Sequence, residues 1–249
     1  MRIDQTEFFA ETLKTLEHAL LLLSRAVPSP KLIDVSENFP GWRYLEQLPQ
    51  QAIVIKLARL LSALHAAKVL LDAGLVLDVG ASKRIIDEIT EDVIFIASAV
   101  RKEDQDPKHI KFLREFWQEE FDPEAEPELK NLARDRLPRN KVRANNSKLI
   151  GGDFRTHAQE VIDKTYSGYV HGASGHTMEI FGGRDFKFNF THMKNTPPWN
   201  SQQNEMPNYF HRAICTFGIA ANVIGDANLF SELISFRGRF EKLFNMNFE

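Results

Sequence analysis

Residues 50–73 read QQAIVIKLARLLSALHAAKVLLDA, and this stretch decides the fold. Its charged and histidine side chains fall in two groups, which a helical rotation of about 100° per residue places on opposite faces. These are Lys56 and Arg59 near the start, and His65, Lys68 and Asp72 near the end. A helix that exposes opposite faces at its two ends must cross the interior of a bundle. We therefore predict that residues 50–73 form the central and most buried helix.

Helical spacing of apolar residues continues on both sides of this stretch. Prolines and glycines separate the helical segments, as they commonly do at helix ends. The pattern predicts further helices over residues 7–26, 82–100, 107–121, 153–169, 207–224 and 227–244. The predicted fold class is therefore mostly all-α, an antiparallel helical bundle formed by one domain over residues 1–249.

One region departs from helical spacing. Between residues 172 and 205 four glycines break the chain, and Phe186, Phe188 and Phe190 alternate with polar residues. Alternation with a period of two is typical of a strand. The pattern predicts a small extended or hairpin insertion over residues 172–205, with every strand of the protein inside residues 177–193.

Prolines predict two loops. Residues 197–199, Pro-Pro-Trp, are expected to open one of them. The other surrounds Pro40, and its neighbours Trp42, Tyr44 and Leu45 are expected to seal one end of the core.

Composition bounds the classes of function. The 249 residues carry 31 Lys and Arg against 34 Asp and Glu, a formal net charge of −3, and 43% of them are hydrophobic. These values exclude a disordered chain, and the balance of charge argues against a nucleic-acid coat protein or a membrane-surface protein. The single cysteine, Cys215, excludes a disulfide framework and favours a reducing compartment. No targeting segment or membrane span is expected, so the prediction is a cytoplasmic protein.

Two neighbouring segments carry opposite charge. Residues 115–128 hold seven acids and no base, and residues 130–143 hold six bases and one acid. The favoured interpretation is that these are solvated faces that pair with each other. The alternative is a phosphate-tracking patch formed by Arg134, Arg136, Arg139, Lys141 and Arg143.

The densest polar cluster is YSGYVHGASGH, residues 166–176. It can hold a neutral imidazole, that of His171, for proton transfer, or fix an anion against backbone N–H groups at the glycines. The alternative is a helix end whose polar groups satisfy one another inside the fold. The candidate binding residues are Tyr166, Ser167, Tyr169 and His176.

Metal ligands are the remaining candidates. His171, His176, Glu179 and His192 lie close in sequence, but the chain has neither a His-Glu-x-x-His motif nor cysteine ligands. No metal site and no cofactor is therefore predicted. Cys215 lies in an apolar helical run and is predicted to be an inert core residue.

Two short motifs suggest relatives. The run SKRIIDEITEDVIFI, residues 82–96, contains an Arg-x-x-x-Glu pattern at Arg84 and Glu88. The run YSGYVHG, residues 166–172, is similar to the phrase Leu-Ser-x-Tyr-Val-His, with tyrosine in the leucine position. Together they resemble a bacterial family of uncharacterised helical proteins, which is similar to the HEPN superfamily (higher eukaryote and prokaryote nucleotide-binding). The resemblance covers roughly residues 57–193.

The resemblance implies an antiparallel helical bundle, often dimeric, in a superfamily that includes ribonucleases of toxin–antitoxin and phage-defence systems and members without activity. Active HEPN nucleases use Arg, then four to six residues, then His. Only Arg59 and His65 have that spacing here, and on a helix they point about 120° apart. The nuclease motif is therefore effectively missing.

Two hypotheses of function follow. The favoured one is a non-catalytic HEPN-like binding or interaction module of a defence or stress system, with a protein or RNA partner and a homodimer as the expected assembly. The alternative is a toxin-like, metal-independent ribonuclease with His171 as the proton-transfer group and Arg84 as the phosphate ligand. Whether the protein is an enzyme stays open at this point.

The candidate catalytic residues Arg84, Glu88 and His171 lead to a structural prediction. By periodicity, Arg84 and Glu88 lie opposite the apolar stripe of their helix and should face solvent. The resemblance instead pairs their helix with His171, which should point back into the bundle. We therefore predict that Arg84, Glu88 and His171 line one partly buried polar site.

Overall fold

The computed structural model describes residues 5–36, 39–102, 106–118, 137–150, 166–182, 187–191 and 193–246. Within these ranges helices dominate, which confirms the predicted fold class. The elements are α1 (Gln5–Arg25), β1 (Lys31–Ser36), β2 (Phe39–Arg43), α2 (Pro49–Ala73), α3 (Val76–Lys102), α4 (Pro107–Trp117), α5 (Arg139–Ile150), α6 (residues 166–170), α7 (Ser174–Thr177), a 3₁₀ turn (Met178–Ile180), α8 (Pro197–Ile224) and α9 (Ala227–Leu243).

Helix α2 is the centre of the bundle, as its polar pattern predicts. It packs against α3, α8, α1 and α4, and Leu57, Leu60 and Leu64 are fully buried along it. Gly74 ends the helix in the left-handed conformation, with φ of 76°, and turns the chain directly into α3. Among the described residues, no helix is both long and apolar enough to cross a membrane.

Helix α8 joins the bundle at the end of α2. The side chain of Trp199, in the first turn of α8, donates a hydrogen bond from Nε1 to the carbonyl oxygen of Leu71, at 2.8 Å. Helix α8 also packs along α3, α9 and α1, so α2, α3 and α8 form the core on which the outer helices lie.

The prediction that all strands lie inside residues 177–193 is wrong. The strands β1 and β2 form an antiparallel hairpin in which Leu32 pairs with Trp42. The β-branched residue Ile33 in β1 favours a strand, but Pro40 and Gly41 in β2 are residues that usually indicate a loop. In the predicted region a single antiparallel bridge joins Phe181 to Phe188, and residues 183–186 lie outside the described ranges.

Of the three residues predicted to seal one end of the core, only Tyr44 packs on it, where its ring meets Trp117 edge-on, with centroids 6.5 Å apart. The prediction for Trp42 and Leu45 is wrong, because their exposed fractions are 65% and 50%.

Helix α8 also starts ten residues before the predicted helix 207–224, at Pro197 instead of Pro207. Thr196 caps it, since its hydroxyl accepts from the backbone N–H of Trp199, and proline fits the first turn because the N–H it lacks has no helical partner there. The predicted insertion over residues 172–205 therefore ends at Thr196. Helix α5 was not predicted, and residues 153–165 lie outside the described part of the chain.

Candidate functional site

A lysine buried between α3 and α8 is the centre of the polar site. The side chain of Lys83 is fully buried, and its Nζ donates to the carbonyl oxygen of Gln202 at 3.1 Å and to Glu205 Oε2 at 2.9 Å. The same Nζ lies 5.1 Å from the ring centre of Tyr209, within range of a cation–π contact. Burial lowers the pKa of Lys83, and the carboxylate of Glu205 opposes that shift. The ammonium is held in the interior by this pairing.

Tyrosine hydroxyl groups extend the network from Lys83 on both sides. Tyr166 of α6 donates to Glu205 Oε2 at 2.5 Å, so one carboxylate oxygen receives both the ammonium and the phenol. Tyr209 of α8 donates to Asp87 Oδ2 at 3.4 Å, and Asp87 pairs with Arg212. A continuous set of polar groups thus connects α3, α6 and α8.

A second branch forms around Tyr169. Its hydroxyl lies 2.9 Å from each carboxylate oxygen of Glu179, to which it donates, and it accepts from Gln202 Nε2 at 3.1 Å. The ring of His176 stands edge-on against that of Tyr169, with centroids 4.3 Å apart. The structure therefore brings three of the predicted binding residues, Tyr166, Tyr169 and His176, into one cluster.

Two glycines make this close packing possible. A Cβ atom at Gly80 of α3 would lie 2.4 Å from Cγ of Tyr169, and one at Gly168 would lie 2.3 Å from Nδ1 of His176. Real Cβ atoms do not approach ring atoms so closely, so any larger residue would displace the rings. The glycine of the Tyr-Ser-Gly-Tyr motif thus has a packing role.

The electrostatics of the cluster keep its phenols protonated. Burial raises the pKa of Tyr166, Tyr169 and Tyr209, and the neighbouring carboxylates raise it further. Burial also raises the pKa of Asp87, against the opposing charge of Arg212. The tyrosines therefore serve as hydrogen-bond donors at neutral pH, and the arrangement resembles a structural network more than an acid–base pair.

The structure brings together two of the three residues of the predicted catalytic site, Arg84 and Glu88. Arg84 pairs with Glu88 on its own helix, at 2.7 Å, with the side chains 18% and 39% exposed. His171 is exposed, so the prediction that it points into the bundle is wrong. Helix α6 ends at residue 170, before the histidine, and the tyrosine of this segment that is buried is Tyr166.

Ser167, the remaining candidate binding residue, is half-buried on α6. Its carbonyl oxygen accepts a hydrogen bond from the backbone N–H of His171 at 3.0 Å, so Ser167 contributes to the end of the helix through its backbone.

Two arginines of the basic segment pair with acids of α3, whereas residues 119–136, which hold most of the two predicted faces, lie outside the described ranges. Arg139 and Arg143 of α5 pair with Glu91 of α3, at 2.9 and 3.0 Å, and Arg139 also pairs with Asp92. Lys56 of α2 reaches the other oxygen of Asp92 at 2.8 Å. These two arginines are therefore engaged with α3, whereas the other bases proposed for a phosphate patch are exposed or lie outside the described ranges.

The metal and nucleophile candidates can be located in part. In the described portion of the chain, no group of three or more His, Cys, Asp or Glu side chains could hold a metal ion, and His192 lies outside it. The Sγ of Cys215 is 3.8 Å from Nε2 of His211, which also bonds Glu241 at 2.7 Å. Burial raises the pKa of Cys215, which favours the unreactive thiol form.

Lys83, Gln202 and Glu205 were missed as site residues. The available signal was the position of Lys83, three residues before the buried Ile86 and thus on the same side of α3. Gln202 and Glu205 lie in the segment that the sequence predicts to be a loop, so no helical spacing points to them.

Comparisons with protein-family models, with curated proteins and with solved structures give no match.

Proposed function

We propose that the protein is a non-catalytic binding module that takes single-stranded RNA on the exposed surface of residues 187–191. The observation that supports this is a pair of exposed aromatic residues, Phe188 and Phe190, whose exposed fractions are 43% and 73%. Lys187 directly precedes Phe188 in the chain, and its side chain is also exposed. Proteins that bind single strands combine aromatic rings, on which bases stack, with cations that follow the phosphates.

The buried network supports a binding role by fixing this surface. Hydrogen bonds join Tyr166 to Glu205 of α8 and Tyr169 to Gln202 of α8. The antiparallel bridge between Phe181 and Phe188 connects the proposed RNA surface to the chain that follows these tyrosines. A surface that is ordered before binding loses less conformational entropy when a ligand docks on it.

Catalysis has less support than binding. Metal-independent cleavage of RNA needs a proton-transfer group and a phosphate ligand at the same phosphate. His171 is exposed, whereas Arg84 is paired with Glu88. The ribonuclease with His171 and Arg84 is therefore the second candidate. The kinship with HEPN proteins, the homodimer and the defence or stress setting remain predictions of the resemblance.

The first test measures RNA binding. We expect a fluorescently labelled single-stranded oligouridine to bind the full chain, and the substitution Phe190→Ala to weaken that binding about tenfold, since stacking contributes about 1–3 kcal/mol per base. Fluorescence anisotropy at low salt measures the affinity. The matched control is Val69→Ala, another exposed apolar residue, on α2. Equal affinity of the Phe190→Ala variant and the parent chain would contradict the proposal.

The same RNA distinguishes the second candidate. A binding module leaves the oligonucleotide intact over a long incubation, as gel electrophoresis shows. Cleavage by the parent chain that is lost in His171→Ala would favour the ribonuclease instead.

A further inference from the structure

Two backbone hydrogen bonds fix the segment that carries the exposed phenylalanines. The N–H of Gly182 donates to the carbonyl oxygen of Lys187 at 2.8 Å, and the N–H of Asn189 donates to that of Ile180 at 2.7 Å. Ile180 is buried in a small apolar cluster at the start of α3. The backbone on both sides of Phe188 is therefore tied to a buried part of the fold.

Cross-strand contacts show which way the side chains of this segment point. Phe181 and Phe188 pair across the bridge, and their rings meet edge-on with centroids 5.3 Å apart, so both lie on one face. Asn189 lies on the other face, because a Cβ atom at Gly182 would be 2.6 Å from its Nδ2 and the amide thus occupies the space that the glycine leaves. Alternate side chains of an extended chain share a face, which places Phe190 on the side of Phe188.

The two exposed rings are spaced for successive bases of one strand. Alternate residues of an extended chain lie about 6–7 Å apart, and proteins that bind single strands stack successive bases on such rings. The identity of a base is read instead by hydrogen bonds to its edges. The amide of Asn189 separates the two phenylalanines in the chain, but it packs across Gly182 on the opposite face and is turned away from those edges.

We propose that this surface takes two successive unpaired bases of an RNA strand, one on Phe188 and one on Phe190, without selecting their identity. The inference rests on the RNA-binding function proposed above and specifies the ligand of that same site. Stacking tolerates any base because every base has a π face. Gly182 contributes by leaving room for the amide of Asn189 on the face away from the bases.

The number of bases is tested with labelled RNA strands of about eight nucleotides, from which all bases except one, or all except two adjacent ones, have been removed. The two-base probe should bind the full chain about tenfold more tightly than the one-base probe, because a second base stacks. This gain should disappear in Phe188→Ala and remain in Asn189→Ala. Fluorescence anisotropy at low salt gives both affinities on each variant, and a partly unfolded variant does not change their ratio.

The identity of the bases is tested with two-base probes that carry either uracil or cytosine. The rings of these two pyrimidines are equal in size but differ in their hydrogen-bonding edges, so the two probes should bind within about twofold of each other. A preference above about tenfold would show that base edges are read and would overturn the proposal. A tenfold loss of affinity in Asn189→Ala would overturn it too, since the amide would then contact the RNA.

The proposed function and this inference fail in different ways. If no probe binds, or if Phe190→Ala binds RNA as tightly as the parent chain, the proposed RNA surface is overturned, and the two-base site with it. If RNA binds and Phe190→Ala weakens the binding, but the second base adds no affinity, the two-base site alone is overturned.

Discussion

At the scale of single residues, the burial of Lys83 makes its ion pair asymmetric. The Lys83 side chain is fully buried, whereas that of Glu205 is 41% exposed. Removing the carboxylate leaves an ammonium in the interior, but removing the ammonium leaves a carboxylate that water can still solvate. We expect Glu205→Gln to lower the free energy of unfolding by about 3 kcal/mol, and Lys83→Met by about 1 kcal/mol. Urea denaturation followed by circular dichroism measures both.

The double variant provides the control at this scale. In a chain that already carries Lys83→Met, the substitution Glu205→Gln no longer leaves a buried charge without its partner. It should therefore lower the free energy of unfolding much less than it does in the parent chain. A larger loss of stability in Lys83→Met than in Glu205→Gln would contradict this expectation and would show that the packing of α3 on α8 depends on the charge of Lys83 itself.

At the scale of elements, the docking of α6 on α3 depends on Gly80. In Gly80→Ala the new methyl group would overlap the ring of Tyr169, so we expect the free energy of unfolding to fall by about 1–3 kcal/mol. The control is Gly218→Ala in α8, where a Cβ meets nothing within 4 Å and alanine should stabilise the helix by about 0.5–1 kcal/mol. Thermal unfolding of the two variants compares them. Two variants of equal stability would contradict the close contact.

The elements also show how far the sequence predicts the structure. The position of α2 could be predicted because a helix buried along its length leaves a strong pattern of aliphatic residues. The site could be predicted only in part: Tyr166 and Tyr169 share a helix face, but Glu205 lies 39 residues beyond Tyr166, and no local pattern encodes a contact at that separation. The hairpin was missed because Pro40 and Gly41, which usually mark a turn, here lie in a strand.

At the scale of the whole molecule, the tyrosines predict its behaviour in alkali. All four have a raised pKa, with burial as the main cause. Above about pH 10 the unfolded chain releases phenolic protons that the native chain retains, so the free energy of unfolding falls as the pH rises. We expect urea midpoints to decrease as the pH rises above about 10.

Ultraviolet absorbance supplies an independent measurement of the same effect. The three tyrosines of the buried cluster should ionise only well above pH 10, together with unfolding. Tyr44 is less buried and should ionise before them. The variant Tyr44→Phe should remove that early part of the titration. Full ionisation of the four tyrosines near pH 10, with the circular dichroism of the native state retained, would contradict the burial of the cluster.

The indole bond between Trp199 and Leu71 has a consequence in terms of helix dipoles. Leu71 lies in the last turn of α2, where the carbonyl groups carry partial negative charge, and Trp199 lies in the first turn of α8, where the backbone N–H groups carry partial positive charge. The bond therefore places the positive end of one long helix at the negative end of the other. The electrostatic fields of the two helices therefore partly cancel where α2 ends and α8 begins. This cancellation favours the orientation in which α8 enters the bundle with its N-terminal end at the C-terminal end of α2.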